Sequence, residues 1–426
     1  MNTRSRIMIV ILLVLVLLAV AVIVLGQPET RLFALDGANG GVLWSVAIPK
    51  PASAPVIFAG NGRVYAGIDY GPISPNVGSA AHDDDLLALQ AFDAAAGTLL
   101  WEFKFEAETF GRVKNYTWVR LPAVIGDTIY LYLTHSDSSV GEDLVAIDAQ
   151  RGALKWVLKS KGLILDTRGG TEVIQVGDKL AALLSDLSPR QDRLALIDPA
   201  TGAELQTLWQ SSGMDNRLEQ FRQPRLQANA GALYLATDNT VYAFDLSGKT
   251  LFTLPTKDSA RILATESALY VQQIQEGINA YDPLSGALRW QYKTDALPDG
   301  AYLLNFLNMG DTIYTVCRCD DRQKDPESFE DLWLIALNAS DGVQRWTTLF
   351  SRNSHTTLFT VPAILSDRVI MRSGKDTEAL VRAFAAPDGA VLWTFTRTEL
   401  ARDPVTDGTH VFTFDSGTRL QMLLRR

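Results

Sequence analysis

The hydrophobic residues of the chain follow two patterns. The first is a single run of 19 apolar residues, 7–25, without charge, Gly or Pro. After it, apolar residues come in short runs bounded by Gly, Asp or Asn, as in residues 122–131 and 303–314. Short runs of this kind are typical of β-strands, and turn residues between them are typical of hairpins. No later stretch keeps a 3.6-residue period, so the pattern predicts an all-β protein after the first run.

The N-terminal apolar run predicts a transmembrane helix. Nineteen residues at ~1.5 Å rise form a helix of roughly 28 Å, close to the ~30 Å hydrocarbon core of a bilayer. Arg4 and Arg6 precede the run, so the positive-inside rule puts residues 1–6 in the cytoplasm. We predict a signal-anchor over residues 7–26 and a linker over residues 27–31, with the rest of this single-pass cell-membrane protein outside the cytoplasm. A cleaved secretory signal is the alternative.

One sequence phrase recurs along the rest of the chain. It consists of Ala, an apolar residue and Asp, followed by Gly four residues after the Asp and Trp four residues after the Gly. Ala91, Phe92, Asp93, Gly97 and Trp101 form one copy. The Asp side chain can bond the backbone two residues on, and Gly allows the positive φ that short hairpin loops need. The phrase therefore predicts a β-hairpin whose second strand carries the Trp.

Two copies of the phrase have drifted. One keeps Asp198 and Gly202 but has Gln206 at the aromatic position, and Trp209 comes three residues later. The other has a turn one residue shorter, and Phe252 replaces the Trp. The predicted structural aromatics of the repeat are Trp44, Trp101, Trp156, Phe252, Trp290, Trp346 and Trp393.

The spacing of the phrase predicts a closed ring. The aromatic positions follow one another at intervals of about 50 residues, and most copies are preceded by a second hairpin. Residues 394–426 and 27–44 together make one further unit split between the termini. Seven continuous units and this composite predict an eight-bladed β-propeller of four-stranded antiparallel blades over residues 32–426. We expect one circular core, with the aromatic residues packed between blades.

The repeat resembles that of the pyrroloquinoline-quinone-like (PQQ-repeat) propellers, over residues 32–424. The resemblance implies either a quinoprotein dehydrogenase, with quinone and Ca²⁺ near the axis, or a non-catalytic propeller such as the lipoprotein scaffold of outer-membrane β-barrel assembly. The dehydrogenases typically carry adjacent cysteines over the quinone, whereas Arg318 separates Cys317 from Cys319 here. The chain is therefore closer to the non-catalytic branch, for which we expect no cofactor, metal or catalytic residue.

Other candidate chemistry is sparse. Cys317 and Cys319 would lie on one face of a strand, where they either form a disulfide or pack as ordinary small residues. The four histidines lack metal-ligand spacing. The three consecutive Asp residues 83–85 lack the alternating ligands of a calcium loop. With 39 Lys and Arg against 48 Asp and Glu, the net charge of −9 gives no basic footprint for nucleic acid.

One face of the predicted propeller carries most of the long connections. Connections between the second and third strands of a blade, and those between blades, emerge on the same face, which we call the loop face. Its intra-blade connections are acid-rich, and its inter-blade connections carry basic and aromatic residues. We expect the basic residues to surround the axis inside an acidic rim. The candidate binding residues are Trp118, Arg120, Arg168, Arg225 and Arg261.

These observations predict a membrane-anchored extracytoplasmic β-propeller that acts as a non-catalytic protein-binding scaffold, in envelope assembly or a membrane complex. Its expected partners are the membrane, through the N-terminal helix, and extracytoplasmic proteins at the loop face. Two alternatives stay open. One is a PQQ- and Ca²⁺-dependent quinoprotein dehydrogenase. The other is a propeller that binds glycans or cell wall through the aromatic and basic residues of 112–120.

Overall fold

The computed structural model describes residues 30–48, 56–69, 87–110, 123–134, 142–159, 173–187, 190–211, 226–257, 260–273, 276–294, 297, 301–319, 330–354, 362–375, 378–397 and 403–415. These residues form 32 β-strands and one helical turn, Ala107–Phe110. The strands belong to eight antiparallel sheets of four strands each. The predicted all-β propeller with eight blades is therefore confirmed.

The strands are numbered in chain order. The closing blade, blade 8, contains β1 (Arg31–Asp36) and β2 (Val42–Ala47) from the start of the chain and β31 (Val405–Thr406) and β32 (His410–Asp415) from its end. Blade 1 contains β3 (Ile57–Gly60), β4 (Arg63–Asp69), β5 (Leu87–Asp93) and β6 (Leu99–Phe105). Blade 2 contains β7 (Ala123–Ile125), β8 (Thr128–Thr134), β9 (Glu142–Asp148) and β10 (Leu154–Leu158). Blade 3 contains β11 (Val173–Val176), β12 (Lys179–Leu187), β13 (Arg190–Ile197) and β14 (Glu204–Gln210). Blade 4 contains β15 (Leu226–Ala228), β16 (Ala232–Ala236), β17 (Thr240–Asp245) and β18 (Thr250–Pro255). Blade 5 contains β19 (Arg261–Ala264), β20 (Leu269–Gln273), β21 (Gly277–Tyr281) and β22 (Leu288–Lys293). Blade 6 contains β23 (Tyr302–Met309), β24 (Thr312–Cys319), β25 (Glu330–Asn338) and β26 (Gln344–Ser354). Blade 7 contains β27 (Ala363–Leu365), β28 (Arg368–Lys375), β29 (Glu378–Ala385) and β30 (Val391–Arg397).

The burial of a strand follows its place in the blade. β16 is a second strand and is buried along its whole length, and β5 is a third strand and is buried in all but its last residue. β18 is a fourth strand, in which exposed and less exposed residues alternate. Inner strands are covered on both faces by neighbouring blades, so their residues are mostly apolar, whereas strands at the rim are covered on one face.

The closing blade joins the two ends of the chain. β32 pairs with β1 in antiparallel register, so that Leu32 lies opposite Phe414 and Ala34 opposite Phe412. Both phenylalanines are fully buried. β31, the innermost strand of this blade, lies against β27 of blade 7 and β3 of blade 1. The predicted composite blade is thus confirmed, and it closes the ring.

The hydrophobic core is divided between the blades. The buried residues form eight clusters, and each cluster contains residues from two neighbouring blades. The expectation of one circular core was wrong in this respect. Each sheet has two faces, and each face packs against a different neighbour, so the sheets themselves separate the apolar layers.

Six of the repeat tryptophans join neighbouring blades through hydrogen bonds. Each indole N–H donates to the backbone carbonyl just after the Asp position of the next repeat. Trp44 Nε1, for example, lies 3.0 Å from the oxygen of Ala94, and its ring covers Gly97 of the same turn. These tryptophans therefore lie between neighbouring blades. The other pairs are Trp101 with Ala149 (3.2 Å), Trp156 with Pro199 (2.9 Å), Trp290 with Ala339 (3.0 Å), Trp346 with Ala386 (3.0 Å) and Trp393 with Gly37 (3.0 Å).

The contact between blades 4 and 5 uses different residues. Phe252 covers Gly286 there but has no N–H to donate. The carbonyl of Pro283, at the equivalent acceptor position, instead accepts a hydrogen bond from the hydroxyl of Tyr234, which lies 2.8 Å away. Burial raises the pKa of Tyr234 to about 12, so its hydroxyl stays protonated and can donate this hydrogen bond.

Replacing Tyr234 by Phe is expected to lower the free energy of unfolding by about 1–3 kcal/mol, because the Pro283 carbonyl loses this buried donor. The matched control is Tyr270→Phe. The hydroxyl of Tyr270 lies 3.2 Å from the Ala339 carbonyl, which also accepts the indole of Trp290. The control should therefore cost less than about 1 kcal/mol in urea unfolding. Equal losses in the two variants would contradict this assignment.

The acidic residue of the phrase shapes the hairpin turn. Asp282 Oδ1 accepts the backbone N–H groups of Leu284 (3.1 Å) and Ser285 (2.9 Å), and its other oxygen accepts Arg289 Nη2 (2.7 Å). The backbone N–H of Ser285 and the Arg289 guanidinium hold the pKa of Asp282 well below its usual range. In blade 6 the same turn is made by Asn338, whose Oδ1 accepts the N–H of Ser340 at 3.3 Å.

These turns predict a loss of stability in acid. A carboxyl whose pKa is lower in the folded chain binds fewer protons there, so its stabilisation is present above about pH 4 and is lost as the pH falls through the folded pKa. Asp282→Asn keeps an acceptor oxygen and should reduce the fall in Tm between pH 5 and pH 3. Asn338→Asp, the reverse change in blade 6, should increase the fall in Tm over the same pH range. If neither variant changes the dependence of Tm on pH, these turns are not the cause of the acid sensitivity.

Candidate binding face

The loop face is defined by the direction of the strands. In every blade the first and third strands begin at this face, and the second and fourth strands end there. Connections between blades therefore share it with the connections between second and third strands. The hairpins that contain the repeat turns lie on the opposite face, which we call the turn face. Thr30 precedes β1, a third strand, so the chain enters the propeller from the loop face.

Of the five candidate binding residues, the structure describes Arg261. It is the first residue of β19, the innermost strand of blade 5, and β19 lies against the innermost strands of blades 4 and 6. Arg261 thus begins an axial strand at the loop face. The other four candidates, Trp118, Arg120, Arg168 and Arg225, lie outside the described residues. Their grouping around Arg261 stays a prediction.

Arg261 is a buried cation. It is 6% exposed, and its Nη1 lies 3.5 Å from the carbonyl of Leu303 at the start of β23. Burial lowers the pKa of its guanidinium to about 10. Within the part of the chain that the structure describes, no carboxylate lies within ion-pair distance of it. Arg372 in blade 7 is equally buried, but its Nε lies 3.4 Å from Asp403 Oδ1.

Buried polar residues lie near Arg261 between blades 5 and 6. Gln272 lies opposite Arg261 in the β19–β20 pair and is fully buried. Its Nε2 lies 3.4 Å from Thr315 Oγ1, which in turn donates to the carbonyl of Asn305 at 3.1 Å. Gln272 Oε1 is buried and has no hydrogen-bond partner among the described residues. Buried polar groups that lack partners cost stability, so this layer weakens the contact between the two blades.

The charges in the loop-face connections on either side of β19 and β20 are compensated. Lys257 precedes β19 and forms an ion pair with Glu276 Oε1 at 2.5 Å. Gln273 accepts the backbone N–H of Lys257 at 3.1 Å and donates to Glu276 Oε2 at 3.0 Å. Lys257 is strongly exposed. The contrast with Arg261 is clear, because the exposed cation has a carboxylate partner and the buried one has none in the described part.

The structure assigns no chemistry to the cysteines. Cys317 is buried in the apolar cluster between blades 5 and 6. The side chain of Cys319 lies outside the described set, so the disulfide stays a prediction. No three His, Cys, Asp or Glu side chains in the described ranges converge as metal ligands.

Sequence reasoning missed several residues of this layer. Gln272, Thr315 and Arg372 are buried polar residues in second strands, whose other buried residues are mostly apolar. A polar residue between the apolar residues of such a strand was the available signal. Charged residues are more numerous in the loops, so the charge pattern indicates the loops instead.

Comparison with known families decides which kind of propeller this is. The family model described as "Outer membrane protein assembly factor BamB" matches residues 77–252 and 332–426, more than half of the chain. The chain belongs to this family. The predicted resemblance to PQQ-repeat propellers, close to the assembly-scaffold branch, is thus confirmed. A search of curated protein sequences found no match.

Solved structures show that the BamB-type fold is shared with functionally different proteins. BamB from Moraxella catarrhalis is 13% identical with a TM-score of 0.51, over 84% of this chain and 95% of that one. The computationally designed protein Ika8 has a TM-score of 0.56 at 11% identity, over 87% and 96% of the two chains. The quinohemoprotein alcohol dehydrogenase of Comamonas testosteroni has a TM-score of 0.51 at 12% identity, over 92% and 77%. At these identities the similarity shows the fold alone.

Helices of membrane-spanning length and apolarity are absent from the part of this BamB-family chain that the structure describes. The predicted anchor, residues 7–26, lies outside that part.

Proposed function

We propose that the chain is a membrane-tethered, extracytoplasmic scaffold that binds a protein partner at its loop face and catalyses no reaction. The observation that carries this proposal is membership of a family described as an outer membrane protein assembly factor. The geometry suggests where the partner would bind. Arg261 lies on an axial strand at the loop face and is buried without a carboxylate partner among the described residues.

The energetic cost of Arg261 supports a role in binding. A buried charge that lacks a counter-ion is destabilising, and an apolar residue of similar size is often neutral or more favourable. Retaining such a charge is typical of positions where function opposes stability. An uncompensated cation also creates a positive potential that attracts an acidic group of a partner. The loop face would therefore favour an acidic surface close to the axis.

The tether would hold this face towards the membrane. The carbonyl of Thr30 accepts the N–H of Ile48 at 2.9 Å, so Thr30 is fixed to the closing blade at the loop face. Thr30 comes four residues after the end of the predicted signal-anchor at residue 26, and four extended residues span at most about 14 Å. If residues 7–26 span the bilayer as predicted, the partner surface is close to the lipid headgroups. We therefore propose a partner that is itself a membrane or envelope component.

Arg261→Met tests the role of the buried cation. We expect the variant to keep or raise its Tm, by about 1–3 °C, because an uncompensated charge is removed. We also expect recovery of a crosslinked membrane partner to fall at least about fivefold, a change of about 1 kcal/mol in binding. The control is Arg289→Met, which removes a half-exposed, ion-paired arginine on the turn face. Unchanged recovery with Arg261→Met would refute the proposed role.

The non-catalytic part of the proposal has its own test. Purified protein is mixed with pyrroloquinoline quinone and Ca²⁺, separated from free quinone, and assayed for dye reduction with alcohols and sugars. We expect neither a bound quinone spectrum nor dye reduction. Both signals together would reassign the chain to the dehydrogenases that share its fold. A glycan-binding role would instead appear as retention on immobilised cell-wall polysaccharide.

A further inference from the structure

The rim of blade 1 carries a cleft that the proposed partner face does not use. The cleft has a volume of about 410 Å³ and is lined by residues of β6, of the helical turn that follows it, and of blade 2. The lining residues are Glu102, Phe103, Lys104, Glu106, Thr109, Phe110 and Leu154.

The lining shows that the cleft runs along the edge of β6. Glu102, Phe103 and Lys104 are consecutive, and successive side chains of a strand point to opposite faces. A cleft that touches all three therefore lies against the strand's edge and not against one face of the sheet. β6 is the last strand of its blade and pairs with β5 alone among the described strands. Its outer edge carries backbone groups that an added strand can pair with.

Among the described residues, the chain after β6 forms a helical turn and places no strand on this edge. The carbonyl of Glu106 accepts the N–H groups of Thr109 and Phe110 at 3.1 and 3.0 Å, which forms the single helical turn. Phe110 then packs edge to face on Phe103 and Phe105, with centroids 6.1 and 5.4 Å away. Phe105 and Phe110 are buried, whereas Phe103 is only partly covered. The turn therefore gives the cleft an aromatic wall.

The rest of β6 continues the apolar surface. Leu99 and Leu100 at its turn-face end are 53% and 44% exposed, and Leu154 across the cleft is 37% exposed. The charged lining has an acidic excess, because Lys104 lies 3.4 Å from Glu102 while Glu106 on the same lining is exposed. A ligand that pairs with β6 thus meets the two leucines at the turn-face end of the strand. At the other end, beside the helical turn, it meets Phe103 and the acidic side chain of Glu106.

We infer that the outer edge of β6 binds an extended peptide segment in which apolar and basic residues alternate, as a fifth strand of blade 1. Backbone hydrogen bonds to the strand edge supply affinity, and alternate side chains reach the cleft. A seven-residue strand pairs with a segment of about 23 Å. The apolar side chains of the segment contact Phe103 and Leu154, and its basic side chains lie beside Glu106. This surface lies at the rim and is independent of Arg261.

The probe is a capped nine-residue peptide of alternating Val and Lys, labelled for fluorescence anisotropy and measured against the full chain at low salt. Leu154→Arg places a long charged side chain in the cleft and should weaken binding at least about tenfold, or about 1.4 kcal/mol. The control is Leu288→Arg, at the same repeat position of blade 5, where the leucine is 59% exposed. It should change binding less than twofold. Thermal melts establish that both variants are folded.

Two altered peptides separate edge pairing from simple charge attraction. Methylating alternate backbone nitrogens removes strand hydrogen bonds but keeps the charge, and should weaken binding at least tenfold. Replacing Lys by Glu should weaken it several-fold. In the complex, amide exchange should slow in residues 99–105. Equal binding of the methylated peptide, equal binding to the two arginine variants, or no binding at millimolar peptide would overturn the inference.

Discussion

Replacing Gly342 by Ala is expected to lower the free energy of unfolding by about 2–5 kcal/mol. Gly342 has a φ of +73°, which costs an L-residue about 1–2 kcal/mol. An added Cβ would also lie 2.5 Å from Cε3 of Trp290 in blade 5, and overpacking of this kind costs typically about 1–3 kcal/mol. Urea unfolding measures the sum. The loss would show that the glycine serves both the turn and the contact between blades.

Gly310→Ala is the matched control for this substitution. Gly310 lies in the other turn-face hairpin of the same blade, has a φ of +60°, and an added Cβ there would meet no atom within 4 Å. It should therefore cost only the backbone strain, about 1–2 kcal/mol. Equal losses in the two variants would mean that the tryptophan ring moves aside freely. The proposed interlock between blades would then be wrong.

Replacing Phe412 by Ala is expected to destabilise the propeller by about 3–5 kcal/mol and to open the ring at the closing blade. Phe412 is fully buried in the layer between blades 8 and 1, and its ring centroid lies 6.0 Å from that of Trp44. Losing a buried aromatic side chain costs the transfer free energy and leaves a cavity. β1 and β32 come from opposite ends of the chain, so this blade depends on their packing. Native-state hydrogen exchange should show residues 31–47 and 405–415 exchanging together and early.

Phe384→Ala is the control for the ring-opening part of that prediction. Phe384 is fully buried between blades 6 and 7, so the overall loss of stability should be similar. The closing blade, however, should keep its protection relative to the other blades. If Phe412→Ala and Phe384→Ala give the same exchange pattern, the ring unfolds as one unit and the closing blade has no special place in it.

The repeat phrase was sufficient to predict the blade, because each of its residues makes contacts or adopts a backbone conformation within its own hairpin. Asp93 accepts the N–H groups of Ala95 and Ala96, and Gly97 takes a positive φ. Ala91 lies directly opposite Trp101 in the β5–β6 pair, where a small residue leaves room for the indole. Such features depend on residues close in sequence, so spacing reveals them. The closing blade followed from counting the same units.

The contacts between blades were only partly accessible from the sequence. The Trp positions predicted packing, but the carbonyl acceptors became visible only when residues such as Trp393 and Gly37, far apart in the chain, were brought together. Tyr234 in place of an indole, the uncompensated charge of Arg261 and the cleft beside β6 also depend on neighbouring blades. Composition and periodicity carry no information on which side chains meet across such a distance.

The most direct test of the proposed function is site-specific photocrosslinking in intact membranes. One crosslinkable residue replaces Lys257, which is exposed at the loop face four residues before Arg261, and another replaces Val343, which is exposed at the turn face. We expect a discrete protein adduct from position 257, reduced by the additional change Arg261→Met, and no such adduct from position 343. The same adduct from both positions, or from position 343 alone, would contradict a partner-binding loop face.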